Sequence, residues 1–171
     1  MPATPLPTSV AALPFAERLL LWTMRAWVMG VHRRSSTEPQ IRAAFTKAGT
    51  PDSTEDLERF MTRFAAGASR QIQVDCICKQ EISDDERRLL DILSFLQQDR
   101  SFEAMILLRT MMTPNAAVAA SWDAGRLADR LKAAGCLLAQ RRRKPAATPS
   151  PARKRPGRDF PQPCIEMFRA L

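Results

Sequence analysis

The chain has no tyrosine, one histidine, six glycines and four cysteines in 171 residues. Each scarcity removes a class of explanation. The single histidine, His32, lies beside Arg33 and Arg34 in a polar run and offers little to general acid–base chemistry. No Gly-rich phosphate loop, nucleophile elbow or His-Glu-x-x-His occurs, so the common catalytic motifs have no match. Four cysteines are too few to build a fold from disulfides, and the body of the chain is long enough to bury a core without them. No uninterrupted apolar run reaches the roughly 18 residues that a membrane span needs. The nearest, Leu13 to Val31, is broken by Glu17, Arg18 and Arg25. The opening MPATPLPTSVAA lacks the basic and apolar regions of a secretory signal. These absences lead to the expectation of a soluble, cytoplasmic chain with no membrane segment and no enzymatic activity, or a nuclear one in a eukaryotic host.

What is present suits one globular domain: 45% hydrophobic and 26% charged residues. The net charge of +8 is unevenly spread. Residues 141–171 hold nine Lys/Arg against two Asp/Glu; taking these from the totals of 26 and 18 leaves 17 basic and 16 acidic residues in 1–140. The body is nearly neutral, and the basicity is a tail.

The strongest local pattern runs from Asp75 to Arg100. Ser83 with Glu86 three residues on is a capping box, and Asp84, Asp85 and Glu86 complement the positive end of the helix dipole. At about 100° per residue, Leu89, Leu90, Ile92, Leu93 and Leu96 share an arc of ~160°, so this helix should be central. A first helix should run from Pro14 to Gly30, apolar over most of its circumference. A second, capped by Thr37 with Gln40, should end at Gly49. A third should bury Leu57, Phe60, Met61 and Phe64. Beyond the central helix, a fifth should be capped by Asp99 or Ser101 and carry Phe102, Met105, Ile106, Leu107, Leu108, Met111 and Met112. The sixth, opened by Thr113-Pro114, should face inward through Val118, Trp122, Leu127 and Leu131.

From Ser69 to Gln80 the period changes to two, with Ile72, Val74, Cys76 and Cys78 on one side. A lone extended segment leaves backbone groups unpaired, so a partner for it is expected in residues 136–139. The fold class is therefore all-α: a compact bundle of five to six helices over residues 13–140, with a small two-stranded β patch pairing 71–78 with 136–139. A flexible segment over 1–12 should precede the bundle. A disordered, Pro-rich basic tail over 141–171, ending in the short apolar run Cys164 to Leu171, should follow it.

Three functional readings follow. The first is a non-catalytic interaction or regulatory module, a homodimer or one with a dedicated protein partner. It would use the surplus apolar surface of the first and fifth helices, on the fifth at Met105, Leu108 and Met112. In the second, Arg141, Arg142, Arg143, Lys144, Arg153, Lys154 and Arg155 neutralise phosphates of a nucleic acid or another polyanion. No aromatic residue is interleaved with these basic clusters, which argues against base stacking. In the third, Cys76, Cys78 and Cys136 bind zinc, with His32 or Cys164 as the fourth ligand. Against it stands the ordinary behaviour of cysteine as a small hydrophobe, here beside Ile72 and Val74; core packing is the favoured reading, redox work is the remaining alternative, and no cofactor is expected.

Overall fold

A computed structural model describes residues 9–139. Six α-helices account for most of them: α1 (Phe15–Arg33), α2 (Glu38–Lys47), α3 (Ser53–Gly67), α4 (Asp84–Gln97), α5 (Ser101–Arg109) and α6 (Pro114–Ala133). The all-α bundle expected from the periodicity is the fold of the chain. α4 packs on α1, α5 and α6, while α3 lies along α6 and also meets α1 and α2. The core therefore holds Leu89, Leu90, Ile92 and Leu93 of α4 with Leu20, Leu21 and Met24 of α1 and Phe60 and Phe64 of α3, whose rings tilt against each other.

Local chemistry explains most of the boundaries. The Ser83 hydroxyl accepts from the Glu86 N–H at 3.1 Å and the Glu86 carboxylate accepts from the Ser83 N–H at 2.9 Å, closing the capping box of α4. Gly49 and Gly135, past the ends of α2 and α6, take positive φ values of 77° and 76°. α1 runs one turn beyond Gly30 and closes on Arg34 in the left-handed region, so His32 and Arg33 belong to its last turn. Thr37 does not form the expected capping box; its hydroxyl donates instead to the Ala26 carbonyl at 2.9 Å and ties the start of α2 to α1. Arg100, not Asp99 or Ser101, occupies the N-cap of α5.

The two-stranded patch is absent: among the described residues there is no sheet, only isolated bridges between Ser9 and Glu81 and between Ala68 and Met112. The backbone groups of both extended segments find side chains instead. Gln97 of α4 accepts from the Leu138 N–H and donates to the Cys136 carbonyl, and Glu17 of α1 accepts from the Ala139 N–H. Residues 136–139 thereby lie across α4 and α1 rather than beside 71–78. Residues 9–12, placed by sequence in the N-terminal segment, make a short 3-10 turn over Val10–Ala12, and the Val10 N–H donates to the Gln80 carbonyl.

α6 turns its faces differently from the sequence expectation. Its buried side is largely alanine: Ala117, Ala120, Ala124 and Ala128 with Leu127 and Leu131. Small side chains let α3 approach closely, and at Gly67 an added Cβ would run into Ala116. Ion pairs flank this contact, from Arg63 to Asp123 and from Arg126 and Arg130 to the buried Asp56. Val118 and Trp122 are displaced to the outside, 52% and 75% exposed.

Candidate functional site

Two places in the fold carry unused chemistry: the segment between α3 and α4, and the outer surface of α5 and α6. The first is built around a buried ion pair. Arg25 projects from the middle of α1 and is only 2% exposed; Glu86, at the start of α4, is fully buried. Two hydrogen bonds of 2.7 and 2.9 Å join guanidinium and carboxylate side by side, the fork geometry that suits this pairing. The remaining donors of Arg25 reach three backbone carbonyls of one loop: Cys76 at 3.2 Å, Lys79 at 2.6 Å and Glu81 at 2.7 Å. Glu86 in turn accepts from the Asp75 N–H at 2.9 Å. One ion pair thus grips the loop at both of its ends.

A second carboxylate repeats the arrangement nearer the surface. Asp85 receives two bonds from Arg70, one from the Gln73 N–H and one from Arg88. Burial disfavours its charged form, but Arg70, the Gln73 N–H and Arg88 together outweigh it and hold the carboxyl at about 2. The Ser83 hydroxyl donates to the Gln73 carbonyl at 2.6 Å, so the cap of α4 is also a loop anchor. Lys79 pairs with Asp75 at 2.9 Å across the turn.

The loop places the cysteines differently from the core-packing reading. Ile72 and Val74 are buried as the period-two pattern requires. The alternation then breaks, because Asp75 turns inward and residues 76–79 form a turn closed by the Lys79 N–H on the Cys76 carbonyl at 3.1 Å. Cys76 is left half-buried and Cys78 exposed. Cys136 is elsewhere, buried with its thiol directed at the Ala48 carbonyl, and burial pushes its pKa up. The three proposed zinc ligands are not brought together. Among the described residues no group of three His, Cys, Asp or Glu side chains is placed to hold a metal ion, and Cys164 lies outside those residues.

The second place is the α5–α6 surface. Leu108 and Met112, expected on a partner-facing side, are buried, and Met105 is half-buried. The inward face of α5 is set by Ala104 and Leu108, which point at α4 and α6. The exposed apolar residues are Phe102, at 75%, with Val118 and Trp122 of α6. The tail residues Arg141, Arg142, Arg143, Lys144, Arg153, Lys154 and Arg155 lie outside the described residues. Among those described, no helix is long and apolar enough to cross a membrane.

Comparison with protein-family models, with curated proteins and with solved structures finds no match for this chain.

Proposed function

We propose that the chain is a non-catalytic helical interaction module that docks through the outer face of α5 and α6, and that the occupant of this face is a second copy of the chain. The observation that carries the reading is the exposure of Trp122 and Phe102, each 75% open to solvent. Aromatic residues are enriched at protein interfaces, and tryptophan is among the residues that carry most of the binding energy when a partner covers it. The two are equally far in sequence from the α5–α6 connection: Phe102 precedes Thr110 by eight residues and Trp122 follows Pro114 by eight. The rise of about 1.5 Å per residue puts both roughly 12 Å from the connection.

The spacing on α6 supports a helical partner. Val118, Trp122, Gly125 and Asp129 follow one another at four, three and four residues, the seam spacing of helix-on-helix packing. All four lie at least partly open to solvent, and nothing lies within 4 Å of a Cβ added at Gly125, so a second backbone has room to approach there. An antiparallel two-fold crossing would bring each Asp129 towards the other copy's Val118 end, with Trp122 and Gly125 near the axis. Sedimentation equilibrium across a concentration series tests this: the parent should self-associate, and Trp122→Ala with Phe102→Ala should shift it to monomer. A parent that stays monomeric throughout overturns the assignment of a second copy.

One further reading has its own support. The nine basic residues against two acidic ones in 141–171 suit a polyanion, bound without base-specific contacts. Retention on nucleic acid that falls steeply with salt, and is lost on removing 141–171, is its expected signature. Retention by 9–140 alone would contradict it.

A further inference from the structure

The loop between α3 and α4 carries a pair of thiols that neither the core nor the docking surface uses. Cys76 and Cys78 are separated by one residue, within a turn whose ends are fixed from below by Arg25 and Glu86. Both reach the surface to some degree. A chain that turns between two cysteines can bring their Cα atoms within the roughly 4.4–6.8 Å that a disulfide spans, where an extended run of the same residues holds the side chains further apart.

We propose that Cys76 and Cys78 form a redox pair that undergoes thiol–disulfide exchange with a low-molecular-weight disulfide of the glutathione type. Cys76 is the attacking group. The Cys78 thiol hydrogen-bonds to its sulfur and lowers its pKa; burial opposes this, and the N–H groups of Cys78 and Lys79 and the charge of Arg25 add to the lowering. Its thiolate attacks one sulfur of the small disulfide, whose S–S bond breaks, and the first small thiolate departs and takes a proton from water. Cys78 then loses its proton to solvent and attacks the Cys76 sulfur, expelling the second small thiolate, which is protonated in turn. Two electrons and two protons pass from the dithiol to the small disulfide, which becomes two thiols, while the protein gains a Cys76–Cys78 disulfide. Because Arg25 holds the carbonyls of Cys76, Lys79 and Glu81, the turn keeps its place while its sulfurs exchange.

The test uses the full chain in a series of reduced and oxidised glutathione mixtures, quenched with an alkylating agent and digested with trypsin. The Gln71–Lys79 peptide contains both cysteines and no other. The expected result is loss of both alkylation sites on this peptide, with a mass two hydrogens lower, reversed by added thiol. Cys78→Ser should trap the glutathione adduct on Cys76, whereas Cys76→Ser should take up the adduct more slowly. In the reduced parent at pH 7, Cys76 should be alkylated about tenfold faster than the buried Cys136. If the peptide retains both alkylatable thiols in fully oxidised glutathione, or if either cysteine pairs instead with Cys136 or Cys164, the proposal is wrong; the parent measurement decides this without any variant.

Discussion

Replacing Arg25 by methionine removes a side chain of α1 that bonds both α4 and the loop between α3 and α4. The volume is nearly kept, so the loss is electrostatic. Five hydrogen bonds disappear: two to Glu86 and one each to the carbonyls of Cys76, Lys79 and Glu81. Glu86 stays buried, with the Asp75 and Ser83 N–H groups as its remaining donors. Breaking a buried pair by removing one partner costs about 3–5 kcal/mol, chiefly because the other charge is stranded. The two N–H donors soften that loss, and water can reach the exposed Glu81, so the lower half of the range is expected. A domain of this size is stable by about 5–15 kcal/mol, so the variant should fold but melt early. Urea unfolding followed by helical circular dichroism reads the change as a drop in midpoint at constant slope. Arg25→Lys should fall in between, since one ammonium cannot serve a carboxylate fork and three carbonyls at once. Arg25→Met with Glu86→Met should recover part of the loss, because no charge is left stranded. A loss below about 1 kcal/mol for Arg25→Met would refute the argument that this pair organises the loop.

Ser83→Ala should cost about 1–2 kcal/mol, since the hydroxyl serves both the Glu86 N–H and the Gln73 carbonyl; coincident urea curves for variant and parent would show that neither bond matters. Asp85 sets an acid limit. Its folded pKa of about 2 lies below the 3.8 of an ordinary aspartate, so its contribution is complete above pH 4 and fades as the pH falls towards 2. That contribution is at most about 2 kcal/mol, trimmed by solvent around Arg70 and Arg88, and Asp85→Asn should flatten the acid limb of the stability profile. An unchanged limb in Asp85→Asn would assign it to other carboxylates.

The helices were legible because their signals are local. Ser83 and Glu86 fix the start of α4 whatever the rest of the chain does, and Gly49 and Gly135 mark helix ends through backbone freedom alone. The extended segments were misread because period-two alternation says that a segment is extended, not what satisfies its backbone. Here carboxylates, an amide and a guanidinium do the work of a partner strand. Arg25 looked like a charge interrupting an apolar helix, and Glu86 looked fully explained by capping. A charge ringed by Met24, Ala26, Trp27 and Val28 was itself the signal of a buried partner, because arginine is rarely buried unless paired. The outward turn of Trp122 was hidden for a different reason. Hydrophobicity favours burying tryptophan over alanine, but the run of alanines lets α3 and α6 close on each other, and side-chain size outweighs side-chain apolarity at that contact. Phe102, Val118 and Trp122 are exposed, whereas Leu108 and Met112, expected on the open face, are buried.

The measurement that bears most directly on the interaction-module reading is sedimentation equilibrium of the full chain and of its Trp122→Ala and Phe102→Ala variants. The parent is expected to pass from monomer to dimer as its concentration rises, with a mass approaching twice the 19.2 kDa of one chain. Each variant should weaken that association by at least tenfold, about 1.4 kcal/mol, without changing the urea midpoint at concentrations where the parent is a monomer, because both side chains are exposed in the single chain. A parent that remains at the mass of one chain, or variants that associate as the parent does, would contradict the account.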